Sequence, residues 1–220
     1  MAIKDNREYR NMTIEVRDPE EGTEERKIVV GYASTFNEPY MLFEGDGWEL
    51  WETVDPTAFD NTDMTDVIMQ YDHQGRVFAR TRNNTLAVTP NDKGLFIEAD
   101  LGGTEIGRAL YEEIAGGYTD RMSFGFTVTA DSEDREKDEE TGVTRYTRHI
   151  KAVGKLYDVS AVSLPANDGT SISADAVTRS ISNLTDGVIE KIQAERLEEE
   201  KRALEQRRAE IKRRALGGKN

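Results

Sequence analysis

The sequence predicts an α+β fold dominated by β-structure: a small barrel or sandwich of short strands flanked by helices, then a long C-terminal helix. Three observations carry this. Short β-branched and aromatic runs recur between Asn, Gly and Pro turn signals over residues 12–101. One capped amphipathic segment, residues 104–115, interrupts them. From residue 183 to about 215 the chain has few breakers and is rich in charge, which favours helix.

In chain order, residues 12–16 alternate and predict a strand, followed by a turn at Asp18-Pro19-Glu20-Glu21-Gly22. Residues 27–36 are rich in β-branched side chains and complete a hairpin. Residues 37–47, with Pro39, Gly45 and Gly47, predict a loop, and residues 48–54 a strand. Asp55-Pro56 predicts the N-cap and first position of a short helix. Strands follow at 67–73, 77–80, 85–88 and 94–101; Gln74-Gly75, Asn83-Asn84 and residues 91–94 supply the turns.

Ile106, Leu110 and Ile114 share one face of the helix that Thr104 caps and Gly116-Gly117 ends. Residues 121–129 then alternate, with Phe124, Phe126 and Val128 opposite Ser123, Gly125 and Thr127. That alternation turns the Ser123 hydroxyl away from the core. The charged run 131–140 reads as a solvated, mobile hairpin tip, with a partner-binding loop as the alternative. Strands at 143–151 and 155–164 close the body, the last ended by Pro165.

Leu197, Leu204 and Ile211 repeat every seven residues, but Ala194, Lys201, Arg208 and Ala215 make the companion row thin. A solvated helix and a helix paired with a partner both fit. The resulting division is an N-terminal arm and first strand (1–26), a globular body (27–175) and a charged helical tail (176–220).

At 220 residues the chain can bury one sizeable core and carry an appendage. Its net charge is −14, unevenly spread: residues 183–220 hold ten Lys/Arg against eight Asp/Glu, which leaves 19 against 35 in the rest. An acidic body argues against a nucleic-acid platform, which needs clustered cations. No apolar run approaches the length of a membrane span. With no cysteine, thiol catalysis, disulfides and thiolate zinc sites are excluded together.

The chemistry narrows to few residues. A serine is a weak nucleophile until an imidazole takes its proton and a third polar group orients that imidazole. There are two histidines, His73 at a strand end and His149. Asp158 interrupts an apolar strand on the face of Ser160, opposite Val159 and Ala161, so it is either paired or solvent-facing. Two isolated histidines give poor support for a metal centre, and no metal ligand set is assigned. Gly-x-Ser-x-Gly and phosphate-cradling glycine loops are both missing.

Five segments in order carry a resemblance: Gly31-Tyr32-Ala33-Ser34-Thr35-Phe36; Val54-Asp55-Pro56-Thr57-Ala58-Phe59; Tyr71-Asp72-His73; Met122-Ser123-Phe124-Gly125-Phe126; and Asp158-Val159-Ser160-Ala161-Val162-Ser163-Leu164-Pro165-Ala166-Asn167. Over residues 27–170 the chain resembles the phage prohead (capsid maturation) proteases, a family similar to the herpesvirus assemblins. The resemblance implies a serine endopeptidase with an assemblin-like, barrel-like β core flanked by helices, the protease domain being 27–175. Ser123 matches the nucleophile, His73 the general base and Asp158 the third member, with His149 as the alternative third member. Ala166 and Asn167 match the turn whose backbone N–H groups form the oxyanion hole.

The tetrapeptide Asp55-Pro56-Thr57-Ala58 departs from the Gly more usual before Ala-Phe. The implied substrates are the scaffolding segment of the major capsid protein and the protease itself, without cofactor, nucleic acid or membrane. The setting is the assembling procapsid in the host cytoplasm, and likeness to the assemblins implies a homodimer. The competing readings are a non-enzymatic scaffold or capsid-assembly factor working through the C-terminal helix, and an acidic carbohydrate- or protein-binding β module.

Overall fold

The computed structural model describes residues 7–17, 26–162 and 172–217. Its strands are β1 (Glu8–Val16), β2 (Ile28–Thr35), β3 (Tyr40–Gly45), β4 (Trp48–Val54), β5 (Ile68–Tyr71), β6 (Gln74–Arg80), β7 (Leu86–Pro90), β8 (Gly94–Asp100), β9 (Arg121–Lys137) and β10 (Thr144–Val162). The helices are α1 (Glu105–Ala115) and α2 (Ile172–Gly217). The chain forms two compact units, Met1–Ile181 and Ser182–Asn220.

The strands follow the order β3-β4-β10-β9-β1-β2-β8-β7, with β5 also on β10 and β6 on β5. The expected small barrel is therefore not formed: the sheet is open, with β3 and β7 at the ends of the path. The cause is the length of β9 and β10, 17 and 19 residues. One edge of β10 pairs with β9 along its length. The other edge is shared end to end by β4, against Thr144 to Ile150, and β5, against Asp158 to Ala161, both parallel. The sheet branches there instead of closing. The first strand also serves two neighbours: Glu8 to Thr13 pair with β9, and Ile14 to Val16 with β2.

The core lies on the face bearing Met122, Phe124 and Phe126 of β9, with Leu156, Val159 and Ala161 of β10, Met69 of β5 and Leu95 and Ile97 of β8. The Phe124 and Phe126 rings stack with centroids 4.6 Å apart. Leu110 and Ile114 of α1 join them. Fully burying each such side chain stabilises the fold by about 1.5–3 kcal/mol. The Thr104 hydroxyl accepts from Gly107 N–H at 3.0 Å, and Gly117, at φ 72°, lies past the helix end in the left-handed region glycine favours.

Four sequence expectations change. The loop expected over 37–47 contains β3, an edge strand whose Met41 and Phe43 are exposed; its flanking Pro and Gly masked it. No helix follows Asp55: its carboxylate accepts from the N–H and hydroxyl of Thr57, and successive i→i+3 turns run from there to Thr62. The charged run is solvated, as its composition demands, but it is strand to Lys137, because β10 supplies the backbone partners. The strands expected at 143–151 and 155–164 are one bulged strand, Thr144–Val162.

In the second unit α2 is regular helix. Leu197, Leu204 and Ile211 are each at least half exposed.

Candidate active site

The site is built around the hairpin joining β5 to β6. Tyr71 pairs with Gln74, so Asp72 and His73 form a two-residue turn, and both have positive φ (49° and 56°). Paired positive φ values are what a type I′ hairpin turn needs, and Asp and His tolerate them better than most residues. The sequence predicts the turn two residues later, at Gln74-Gly75; those residues open β6 instead. The Asp72 N–H donates to Ala161 O at 2.9 Å, fixing the turn to β10. His73 is thereby held over the sheet with its side chain only 6% exposed.

Asp158 is brought beneath it by a bulge. Across β9 and β10, Leu156 faces Phe126 but Asp158 faces Gly125, so one extra residue, Tyr157, sits on β10. Without that insertion Asp158 would share the core face of Leu156; with it, Asp158 falls on the opposite face beside Ser160. Its carboxylate is buried and paired, not solvent-facing. Asp158 Oδ1 lies 2.5 Å from His73 Nδ1 and accepts the Ser160 hydroxyl at 2.7 Å. Oδ2 occupies space over Gly125, where an added Cβ would stand 2.5 Å away.

Ser123 is on this same face, two residues from Gly125 and directly across from Ser160. Its hydroxyl points away from the phenylalanine core, as the alternation predicts, but the second face is covered as well and Ser123 is fully buried. Two buried polar atoms here have no hydrogen-bond partner among the described residues: Ser123 Oγ and His73 Nε2. Buried polar atoms are nearly always paired, so an orphan hydroxyl and an orphan imidazole nitrogen on one face need a reason. In the tautomer that donates Nδ1–H to Asp158, Nε2 is a proton acceptor.

Residues 12–186 match the family described as caudovirus prohead serine protease. The chain belongs to that family. Neither a curated protein nor a solved structure matches it. Membership makes this prohead protease a serine peptidase of phage capsid maturation, working within the procapsid. No helix among the described residues is long and apolar enough to cross a membrane.

The alternative third member, His149, falls elsewhere. His149 of the prohead protease pairs in register with Thr53 and Ser132, and its Nε2 lies 3.0 Å from Asp134 Oδ2 without the alignment of a hydrogen bond. It stands nine residues from Asp158 along β10, about 30 Å at the usual rise per residue. Ala166 and Asn167 lie outside the described residues.

Three participants went unread in the sequence. Tyr9 pairs with Gly125 across β1 and β9 and sets its ring edge-on to His73, with centroids 4.5 Å apart. Gly125 itself had a signal, since a glycine inside a strand marks a close approach. The third, Ser160, holds Asp158. Tyr9 had no signal, because only strand pairing brings residue 9 to residue 73.

On the other side of β1, Arg10 anchors the strand to the sheet. It donates to Glu52 Oε1 and Oε2 at 2.5 and 2.7 Å, and Glu52 also accepts from Tyr40 OH and Arg148. Arg148 in turn holds Glu8 and Asp131. Burial alone would push the Arg10 guanidinium down, but Glu52 beside it holds it above the ordinary range. Burial, then Glu52, raises the Tyr40 phenol well above its usual value. Burial would lift Glu8; Arg148 and Arg10 together pull it below the ordinary glutamate value. This network ties β1, and with it Tyr9, to β4 and β10.

Proposed function

We propose that Ser123 is the nucleophile, His73 the general base and Asp158 the residue that orients His73. The observation that carries this reading is the His73–Asp158 contact, with His73 Nε2 and Ser123 Oγ both without a partner among the described residues. Ser123 Oγ attacks the peptide carbonyl carbon as its proton passes to Nε2. The C–N bond breaks as Nε2 returns that proton to the leaving amine. Water then repeats the sequence to release the acyl group, while Asp158 holds the imidazolium through Nδ1–H. The backbone N–H groups of Ala166 and Asn167 supply the oxyanion donors by family likeness.

The substrates are the scaffolding segment of the major capsid protein and the chain itself, inside the assembling procapsid in the host cytoplasm. Body 27–175 does the chemistry, β1 of the N-terminal arm 1–26 completes it with Tyr9, and tail 176–220 serves packaging. Confinement in the shell raises the effective concentration, so modest intrinsic activity suffices. Likeness to the assemblins extends the reading to a homodimer.

The test co-expresses the chain with its capsid protein. Ser123→Ala abolishes cleavage of both proteins while shells still assemble; undiminished processing by Ser123→Ala would overturn the reading. The exposed row Leu197, Leu204 and Ile211 favours a second role for α2 in recruitment. Deleting residues 183–220 tests it: the protease then stays active in solution but is lost from shells. Under a purely scaffolding reading the deletion alone would matter and Ser123→Ala would not.

A further inference from the structure

We propose that Ser160 is a positioning residue of this protease, fixing the Asp158 carboxylate so that one oxygen aims at His73; the inference rests on the assignment of Ser123, His73 and Asp158 above. Ser160 is fully buried, and among the described residues its hydroxyl donates at 2.7 Å to Asp158 Oδ1, the same oxygen that meets His73 Nδ1 at 2.5 Å. A buried carboxylate needs several donors to stay satisfied, and His73 supplies one. Without a second donor the group is free to turn about its Cβ–Cγ bond and offer Nδ1 either oxygen at varying angles. Ser160 removes that freedom from one side. Gly125 removes it from the other, because Oδ2 fills the slot a Cβ would take.

The register makes the arrangement specific. Asp158 and Ser160 are successive residues of one face of β10, opposite Gly125 and Ser123 of β9. Ser160 thus stands across from the proposed nucleophile but spends its proton on Asp158. It is not a second nucleophile: with its hydroxyl donated to the carboxylate, nothing presents that proton to His73 Nε2. The site therefore holds two serines whose roles are separated by their partners, one bonded to the acid and one without a partner among the described residues.

The experiment uses the full chain and a fluorophosphonate probe, which reports serine reactivity without a known substrate. Ser Oγ forms the P–O bond, fluoride leaves and the proton passes to His73. Intact mass and peptide mapping locate the label on Ser123. Ser160→Ala lowers the labelling rate about tenfold or more, the scale of a lost hydrogen bond to a charged group, while thermal unfolding shifts little. Ser160→Thr, which keeps the hydroxyl, recovers most of the rate. In proton NMR of histidine-labelled protein, the downfield His73 Nδ1–H resonance moves or broadens in Ser160→Ala and is retained in Ser160→Thr.

Wild-type labelling with an unmoved resonance in Ser160→Ala would overturn the proposal, as would a Ser160→Thr variant as slow as Ser160→Ala. If Ser160→Ala does not fold, Ser160→Cys substitutes a near-isosteric weak donor, and a wild-type rate there overturns the proposal equally. Failure of the parent reading looks different: the label would then appear on a residue other than Ser123, or persist in Ser123→Ala.

Discussion

Asp158 and Gly125 face each other across β9 and β10, and the carboxylate of the first lies where the second would carry a side chain: a Cβ built on residue 125 falls 2.5 Å from Asp158 Oδ2 and 2.9 Å from Tyr9 Cε1. A glycine between two core phenylalanines is thus a condition of the site's geometry.

Gly125→Ala is expected to fold but to displace the carboxylate, since Asp158 must swing away from the methyl or Tyr9 must yield. The cost in stability is on the order of 1–3 kcal/mol, the range for overpacking. The loss in fluorophosphonate labelling is larger, about tenfold or more, because the His73–Asp158 contact is what moves. Urea unfolding and labelling on one preparation separate the two effects. Labelling at the wild-type rate would show that the close approach has no bearing on reactivity.

Asp158→Asn is expected to lower turnover by several orders of magnitude, toward the roughly 10⁴-fold known for the same change in a Ser-His-Asp enzyme, because an amide donor favours the wrong imidazole tautomer. His149→Gln is expected to leave turnover within about twofold, given its separation from Asp158 along β10. Processing of the co-expressed capsid protein, followed by gel and mass, compares the two. The opposite ranking would return His149 to the third position.

How far the sequence could be read follows from how local each signal is. The α1 helix was legible because its cap, periodicity and terminating glycines lie within residues 104–117. Ser123, His73 and Asp158 could be named from short motifs, but their relation could not. It depends on the bulge at Tyr157 and on parallel pairing of β5 with β10, which join residues about 90 apart in the chain. The barrel expectation failed for a similar reason: short strands at regular spacing do not reveal that one 19-residue strand will take two partners on a single edge. Arg10 was invisible as a buried residue, since its burial is made tolerable chiefly by Glu52 of β4, which only strand pairing brings to it, with Glu8 beside it.

Glu52→Gln removes the shared partner of Arg10 and Arg148 from a fully buried position. Breaking a buried ion pair from one side costs about 3–5 kcal/mol, because the remaining charge stays desolvated. The expected result is a large drop in the urea midpoint with a nearly unchanged slope. An exposed pair such as Arg26 with Asp100 gives the control, and Arg26→Ala should change stability by less than about 1 kcal/mol. Similar effects of the two changes would mean that the network does not anchor β1.

The same network sets an acid limit. Burial by itself would raise the Glu8 carboxyl, but the hydrogen bond from Arg148 and the charges of Arg10 and Arg148 outweigh it and leave Glu8 below its ordinary value of 4.5. A carboxyl depressed on folding binds its proton more readily in the unfolded chain. Its contribution is therefore fully present above the unfolded value and is lost as the pH falls through the folded one. Stability should decline from about pH 4.5 downward as the Glu8 tie between β1 and β10 is lost. In Glu8→Gln the neutral-pH stability drops and the slope over that window becomes shallower, read as the urea midpoint at successive pH values. Because Tyr9 follows Glu8 on the same strand and packs on His73, fluorophosphonate reactivity measured after brief acid exposure and return to neutrality should recover fully in both proteins. Equal acid slopes for the wild type and Glu8→Gln would show that Glu8 is not the group whose protonation loosens the first strand.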